Sequence, residues 1–144
     1  MFKLVSHSVE QTEAAGVAIG KRLGKGEVIA LFGGMGAGKT AITRGICRGL
    51  DSKNYVSSPT FAIVNEYSGK RKIYHFDMYR VSGEEDLEST GYYDFLDGES
   101  NLIIEWSENI RSELPKNAIC ILMEHGKNDG DREITVGLLS EMNL

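Results

Sequence analysis

The chain has 144 residues, 41% of them hydrophobic and 26% charged, which suits one domain with a real core. A net charge of −5 and a pI near 5.2 argue against nucleic-acid binding by the chain alone through a broad basic surface. No apolar run approaches the roughly 18 residues of a membrane span, and MFKLVSHSVEQTEAAG at the start lacks the charged lead and apolar stretch of a secretory signal; a cytoplasmic protein with no membrane contact is expected.

In chain order, FKLV (2–5) reads as a short strand. Ser8 with Gln11 has the form of a capping box, opening a helix that runs to about Leu23 and stops at Gly24. EVIALF (27–32) is an apolar run of strand length, and TAITRGICRGL (40–50) places Ile42, Ile46 and Leu50 on one helical stripe that can face a sheet. FAIVNEY (61–67) and KIYHFDMY (72–79), joined by SGKR, have the alternation of a hairpin. Ser82 with Glu85 would cap a short helix over 83–90. LIIE (102–105) reads as a buried parallel strand ending in a carboxylate, and NAICILMEH (117–125) with REITVGL (132–138) as a second hairpin. With no repeat or linker, the expectation is a single α/β domain over 1–144: a mixed sheet with a parallel core, antiparallel hairpins and flanking helices.

Between the strand at 27–32 and the helix at 40–50 stands GGMGAGKT (33–40), four glycines in eight residues. Glycine loses more freedom on folding than any other residue, so this density means that side chains would obstruct something. Gly33, Gly38, Lys39 and Thr40 fit GxxxxGK[ST], the phosphate-binding loop: backbone N–H groups cradle phosphates, lysine reaches the β/γ-phosphates and the hydroxyl meets Mg²⁺. A strand before and a helix after are the context this motif requires, since the helix N-terminus adds amides and the positive end of its dipole. Gly33, Gly34, Met35, Gly36, Ala37, Gly38, Lys39, Thr40 and Ala41 are the candidate nucleotide-binding residues.

Magnesium bound with a nucleotide keeps several waters and takes few protein ligands, so Thr40 needs one acid, direct or through water, near the strand ends. Asp77, ending IYHFD, and Glu105, ending LIIE, both qualify, with Glu105 favoured because a buried apolar run ending in an acid is the commoner strand pattern beside a P-loop. In VSSPTF (56–61), Pro59 sets Thr60 on a defined turn, where its hydroxyl either senses γ-phosphate and Mg²⁺ or bonds local backbone. Trp106 is either core or a wall of the site. His7, His75 and His125 lack metal spacing and read as packing or surface residues. Cys47 and Cys120 read as reduced core residues, and GKRK (69–72) as a solvated hairpin tip.

GGMGAGKT, Ser58-Pro59-Thr60-Phe61, His75-Phe76-Asp77-Met78-Tyr79-Arg80 and Glu105-Trp106-Ser107-Glu108, in this order across nearly the whole chain, resemble the TsaE family. These are small bacterial P-loop ATPases required for making threonylcarbamoyladenosine on tRNA. The resemblance implies an ATP and Mg²⁺ switch. Lys39 and Thr40 would bind phosphate and metal, and Thr60, Asp77 and Glu105 would complete the metal and γ-phosphate site. It also implies partners, a two-protein threonylcarbamoyl-transfer complex of TsaD and TsaB type, with tRNA contacted through that complex. Gly34 stands where the family usually has an acidic residue; the cradle needs only backbone there.

The competing reading is a small P-loop kinase acting on a metabolite. Such an enzyme needs an acceptor pocket and a lid carrying arginines, whereas the segment 81–101 is short and acid-rich. A regulatory GTPase is disfavoured by the lack of NKxD and DxxG motifs. A non-catalytic nucleotide sensor differs from the ATPase only in rate. No arginine has a motif that puts it at the γ-phosphate; Arg80, following the Asp77 strand end, is the candidate for the site or for a partner surface.

Overall fold

The computed structural model describes residues 1–59 and 63–144. Seven strands form one sheet: β1 (Phe2–Ser6), β2 (Val28–Phe32), β3 (Val64–Ser68), β4 (Lys72–Asp77), β5 (Asn101–Glu105), β6 (Ile119–His125) and β7 (Arg132–Leu138). Their spatial order is β1-β7-β6-β2-β5-β4-β3. The four central strands β6, β2, β5 and β4 are parallel, while β1 on β7, β7 on β6 and β3 on β4 are antiparallel. This is the mixed α/β architecture expected, with every predicted strand present. Buried on both faces, β2 and β5 are apolar except for polar residues at the two ends of β5, as befits central parallel strands.

One face carries α1 (Val9–Arg22) and α2 (Lys39–Gly49). Ser8 caps α1 by accepting from the Gln11 N–H, and the Gln11 side chain reaches back to His7 N–H instead of to the cap's own. The expected stripe Ile42, Ile46 and Leu50 is fully buried against Ile29, Leu31, Ile73, Ile103 and Ile121. Against it α1 presents Thr12, Gly16 and Gly20. The helices touch backbone to backbone: a Cβ on Gly45 would overlap the Glu13 carbonyl, so only glycine fits. Glu13 then pairs with Arg44 and Arg48 at the rim.

The other face holds Val28, Ala30, Phe32, Phe76, Leu102 and Ile104 under α3 (Gly83–Ser89), α4 (Tyr92–Phe95) and a 3-10 segment, Ser107–Glu113. Two details differ from expectation. Ser82 does precede α3, but its N–H and hydroxyl donate to Asp86, one residue beyond the predicted Glu85. The chain leaves β4 at Asp77, so Met78 and Tyr79 belong to a turn and not to the strand. The start predicted for the preceding strand, at 61 and 62, lies outside the described residues. Cys47 and Cys120 are free and buried, and burial pushes their thiols up to about 12 and about 11, leaving them inert. No helix among the described residues is long and apolar enough to cross a membrane.

Candidate nucleotide site

In an open parallel sheet, ligands sit beyond the carboxyl ends of the strands, and here β2, β4 and β5 all end at one edge. β2 runs into the glycine loop, which turns through Gly33 (φ 147), Gly36 (φ 72) and Gly38 (φ 100) into α2. Gly38 is left-handed and serves as the N-cap, a conformation that costs a residue with a Cβ about 1–2 kcal/mol. No side chain caps α2 and its first turn has no acidic residue, so its leading amides are left for an anion. A Cβ on Gly34 or Gly36 would meet nothing within 4 Å, so the space before the loop is open. The loop therefore fits a phosphate chain.

Lys39 is only 6% exposed. Its Nζ donates to the Gly33 carbonyl at 2.5 Å and lies 3.7 Å from the centroid of the Trp106 ring. Burial holds its pKa below the ordinary lysine range, opposed by the charges of Glu108, Glu105 and Asp77. The cation is thus poised among three acids and an aromatic face. Trp106 is itself left-handed (φ 57), directly after β5, and its ring also meets Tyr79 at 4.9 Å between centroids. A bulky residue in that conformation is a backbone outlier held by its surroundings.

A cavity of about 400 Å³ opens over the loop, lined by Met35, Gly36, Ala37, Gly38, Lys39, Thr40, Glu105, Trp106 and Arg132, with Val9 at its side. Most of the residues predicted for the site line it. Gly33 lies behind the cavity and Gly34 is exposed outside it, while Ala41 is half-buried in α2. Glu105 is buried, and its Oε2 meets His75 Nε2 at 2.5 Å. Asp77, paired in register with Glu105, is half-buried and accepts from the Tyr79 N–H at 2.9 Å. Thr40 Oγ1 is 3.0 Å from Ser58 Oγ, tying the P-loop to the segment before Pro59. Thr60 lies outside the described residues.

Among the described residues no cluster of three His, Cys, Asp or Glu side chains could hold a metal. The donor set suits Mg²⁺ as a nucleotide complex, which takes one or two carboxylates and a hydroxyl with phosphate and water supplying the rest. Thr40 and Glu105 line the cavity and could supply such a set; Asp77, paired in register with Glu105, does not line it.

Three residues were given no role in the site from the sequence, although His75 and Glu108 stand in the motifs that carry the family resemblance. Glu108 accepts from the Gly33 N–H at 3.1 Å and is the foremost charge acting on Lys39. His75, read as a packing or surface residue, touches Glu105. Arg132 donates to the Gly36 carbonyl at 3.0 Å and to the carbonyls of Asp129 and Asp131. Arg132 opens β7, and its approach to the loop follows from β6 lying next to β2, which no local motif reveals. Arg80 is exposed and has no hydrogen bond or ion pair among the described residues.

Residues 6–134 match the family described as "Threonylcarbamoyl adenosine biosynthesis protein TsaE". The chain belongs to the TsaE family. It is 37% identical over 135 residues to the tRNA threonylcarbamoyladenosine biosynthesis protein TsaE of Treponema pallidum, covering 94% of this chain and 99% of that one. The Haemophilus influenzae TsaE is 38% identical over 121 residues, covering 83% and 74% respectively. The crystal structure of Bacillus subtilis YdiB superposes with a TM-score of 0.76 at 29% identity, covering 96% of this chain and 85% of that one.

Proposed function

We propose that this TsaE-family chain is a Mg²⁺-dependent ATPase of the cytoplasm whose nucleotide cycle supports a two-protein complex, of TsaD and TsaB type, that forms threonylcarbamoyladenosine on tRNA. The observation that carries the reading is one cavity at the carboxyl edge of the sheet, where Lys39, Thr40, Glu105, Trp106 and Arg132 surround an open glycine loop. When bound, Mg²⁺ would neutralise charge on the β- and γ-phosphates; Thr40 and Glu105 would hold it, with Asp77 the alternative acid. Lys39 would exchange the Gly33 carbonyl for phosphate oxygens, and Trp106 would wall the nucleotide. Thr60 is assigned to the γ-phosphate on the family pattern alone.

Phosphoryl transfer to water depends on stabilising charge and orienting the nucleophile, and a small chain can leave part of that to a partner. Slow hydrolysis by the isolated chain is therefore the expected behaviour, with Arg80, exposed at the surface, assigned to the partners. Steady-state ATP turnover with and without the two partner proteins and tRNA tests this. Turnover should rise with the complex, and Arg80→Ala should reduce the rise more than it reduces nucleotide affinity. Fast turnover that ignores the complex would refute the proposal.

A further inference from the structure

Beneath the cavity lies a buried polar chain that phosphate binding does not use. β4 and β5 are in parallel register, with His75 opposite Ile103 and Asp77 opposite Glu105; β3 and β4 pair Asn65 with His75 and Tyr67 with Ile73. Directly paired residues share a face of a sheet, and so do residues two apart on a strand. His75, Glu105 and Tyr67 therefore all point toward α2. His75 is fully buried, with Nε2 on Glu105 Oε2 at 2.5 Å and Nδ1 3.0 Å from Tyr67 Oη. Tyr67 Oη donates to the Ser57 carbonyl at 3.1 Å, and Asn65 Nδ2 donates to the same carbonyl at 3.1 Å. The next residue, Ser58, is bonded to Thr40.

The chain connects two residues that line the cavity. It runs from Glu105 through His75 and Tyr67 to the backbone of Ser57, and returns through Ser58 to Thr40, the other residue assigned to the metal. An ionised carboxylate only accepts, so the His75 nitrogen facing it carries a proton and donates. With one carboxylate oxygen engaged and no other hydrogen bond to the Glu105 carboxylate among the described residues, this chain would set the direction in which the second oxygen faces the cavity. A histidine here for packing alone would have no need of polar partners at both nitrogens. Orientation of a metal-associated group by a donor behind it is a recurrent device, and its loss typically weakens metal affinity tenfold or more.

We propose that His75, seated on Tyr67, is a positioning residue for Glu105, holding its carboxylate for Mg²⁺ and joining that carboxylate to the Ser57–Pro59 turn. The proposal rests on the nucleotide reading above. It predicts that removing the His75 donor impairs the metal-dependent part of nucleotide binding and leaves the metal-free part in place.

Thermal shift of the full chain with ATP in EDTA, then across a MgCl₂ titration, separates the two. His75→Leu should keep the EDTA affinity within about twofold and lose about tenfold in apparent Mg²⁺ affinity. His75→Gln, which retains an amide donor, should recover part of the loss. The double variant with Glu105→Gln should be no worse toward Mg²⁺ than Glu105→Gln alone, because the two changes act through one carboxylate. If His75→Leu does not fold, Tyr67→Phe carries the comparison, with the same direction and a smaller loss. A wild-type Mg²⁺ response in His75→Leu, or in Tyr67→Phe when that is the variant measured, overturns the proposal and leaves the nucleotide reading standing. A wild-type chain that shows no ATP-dependent shift overturns both.

Discussion

The two faces of the sheet are built from the same strands and end differently. Under α1 and α2, the apolar columns stop short of the carboxyl edge, by two positions on β4, where Ile73 gives way to His75 and Asp77, and by one on β5, where Ile103 gives way to Glu105. On the opposite face the columns stay apolar to the end, through Phe32, Phe76 and Ile104, and aromatic rings close over them, Phe76 packing edge-on to Tyr92 and Phe95. Adjacent residues such as Ile104 and Glu105 thus serve different ends, one packing and one chemistry. Charged groups at strand ends retain access to ligand and water, whereas one step earlier on the other face they would be buried without partners.

The sharpest way to break this contrast is to cut one side chain from each face. Ile104→Ala should destabilise the protein by about 2–5 kcal/mol through a lost methyl cluster and the cavity it leaves; urea denaturation should show that loss, with the ATP-dependent increment unchanged. Lys39→Ala should do the reverse. ATP at 100 times its dissociation constant stabilises a one-site protein by about 2.7 kcal/mol, and a tenfold or greater loss of affinity leaves about 1.4 kcal/mol or less at the same concentration. An undiminished shift would remove Lys39 from the site.

Smaller effects sharpen the boundary. Asp77→Asn and Glu105→Gln keep shape and remove charge, so each should depress hydrolysis more than it moves the melting temperature; a variant that loses stability and keeps full turnover would mark its carboxylate as structural. Gly38→Ala should lose about 1–2 kcal/mol of stability from its left-handed backbone and weaken ATP binding, whereas Gly34→Ala, with open space beside it, should leave folding unchanged. Tyr92→Phe, at the far face, deletes the hydroxyl that donates to the Glu113 carbonyl at 2.9 Å. Its cost should be about 0.5–1.5 kcal/mol with no effect on nucleotide.

These contrasts track what was legible in the chain. The P-loop, its strand and its helix could be read because glycine geometry, a helix cap and an apolar stripe are settled within about ten residues of each other. So were both hairpins and the buried strand ending at Glu105. The acidic partner of Ser82 at the start of α3 was misplaced by one residue because Glu85 and Asp86 are both acids, and only the path of the backbone after Ser82 chooses between them. α4 went unseen: its four residues are too few to show a period, and Tyr92 is held by packing on Phe76.

For His75, Glu108 and Arg132 the reason is different. Each is ordinary in its own segment, a histidine in a strand, an acid after one and an arginine beyond a turn. The sequence alone determined the phosphate loop, the lysine and hydroxyl that follow it and the strand types, because local stereochemistry and periodicity act over short separations. Only the tertiary structure decided that β4 lies beside β5 and β6 beside β2. Strand order and register are set by packing between segments remote in the chain, and they bring His75 to Glu105, Glu108 to the Gly33 amide and Arg132 to the Gly36 carbonyl.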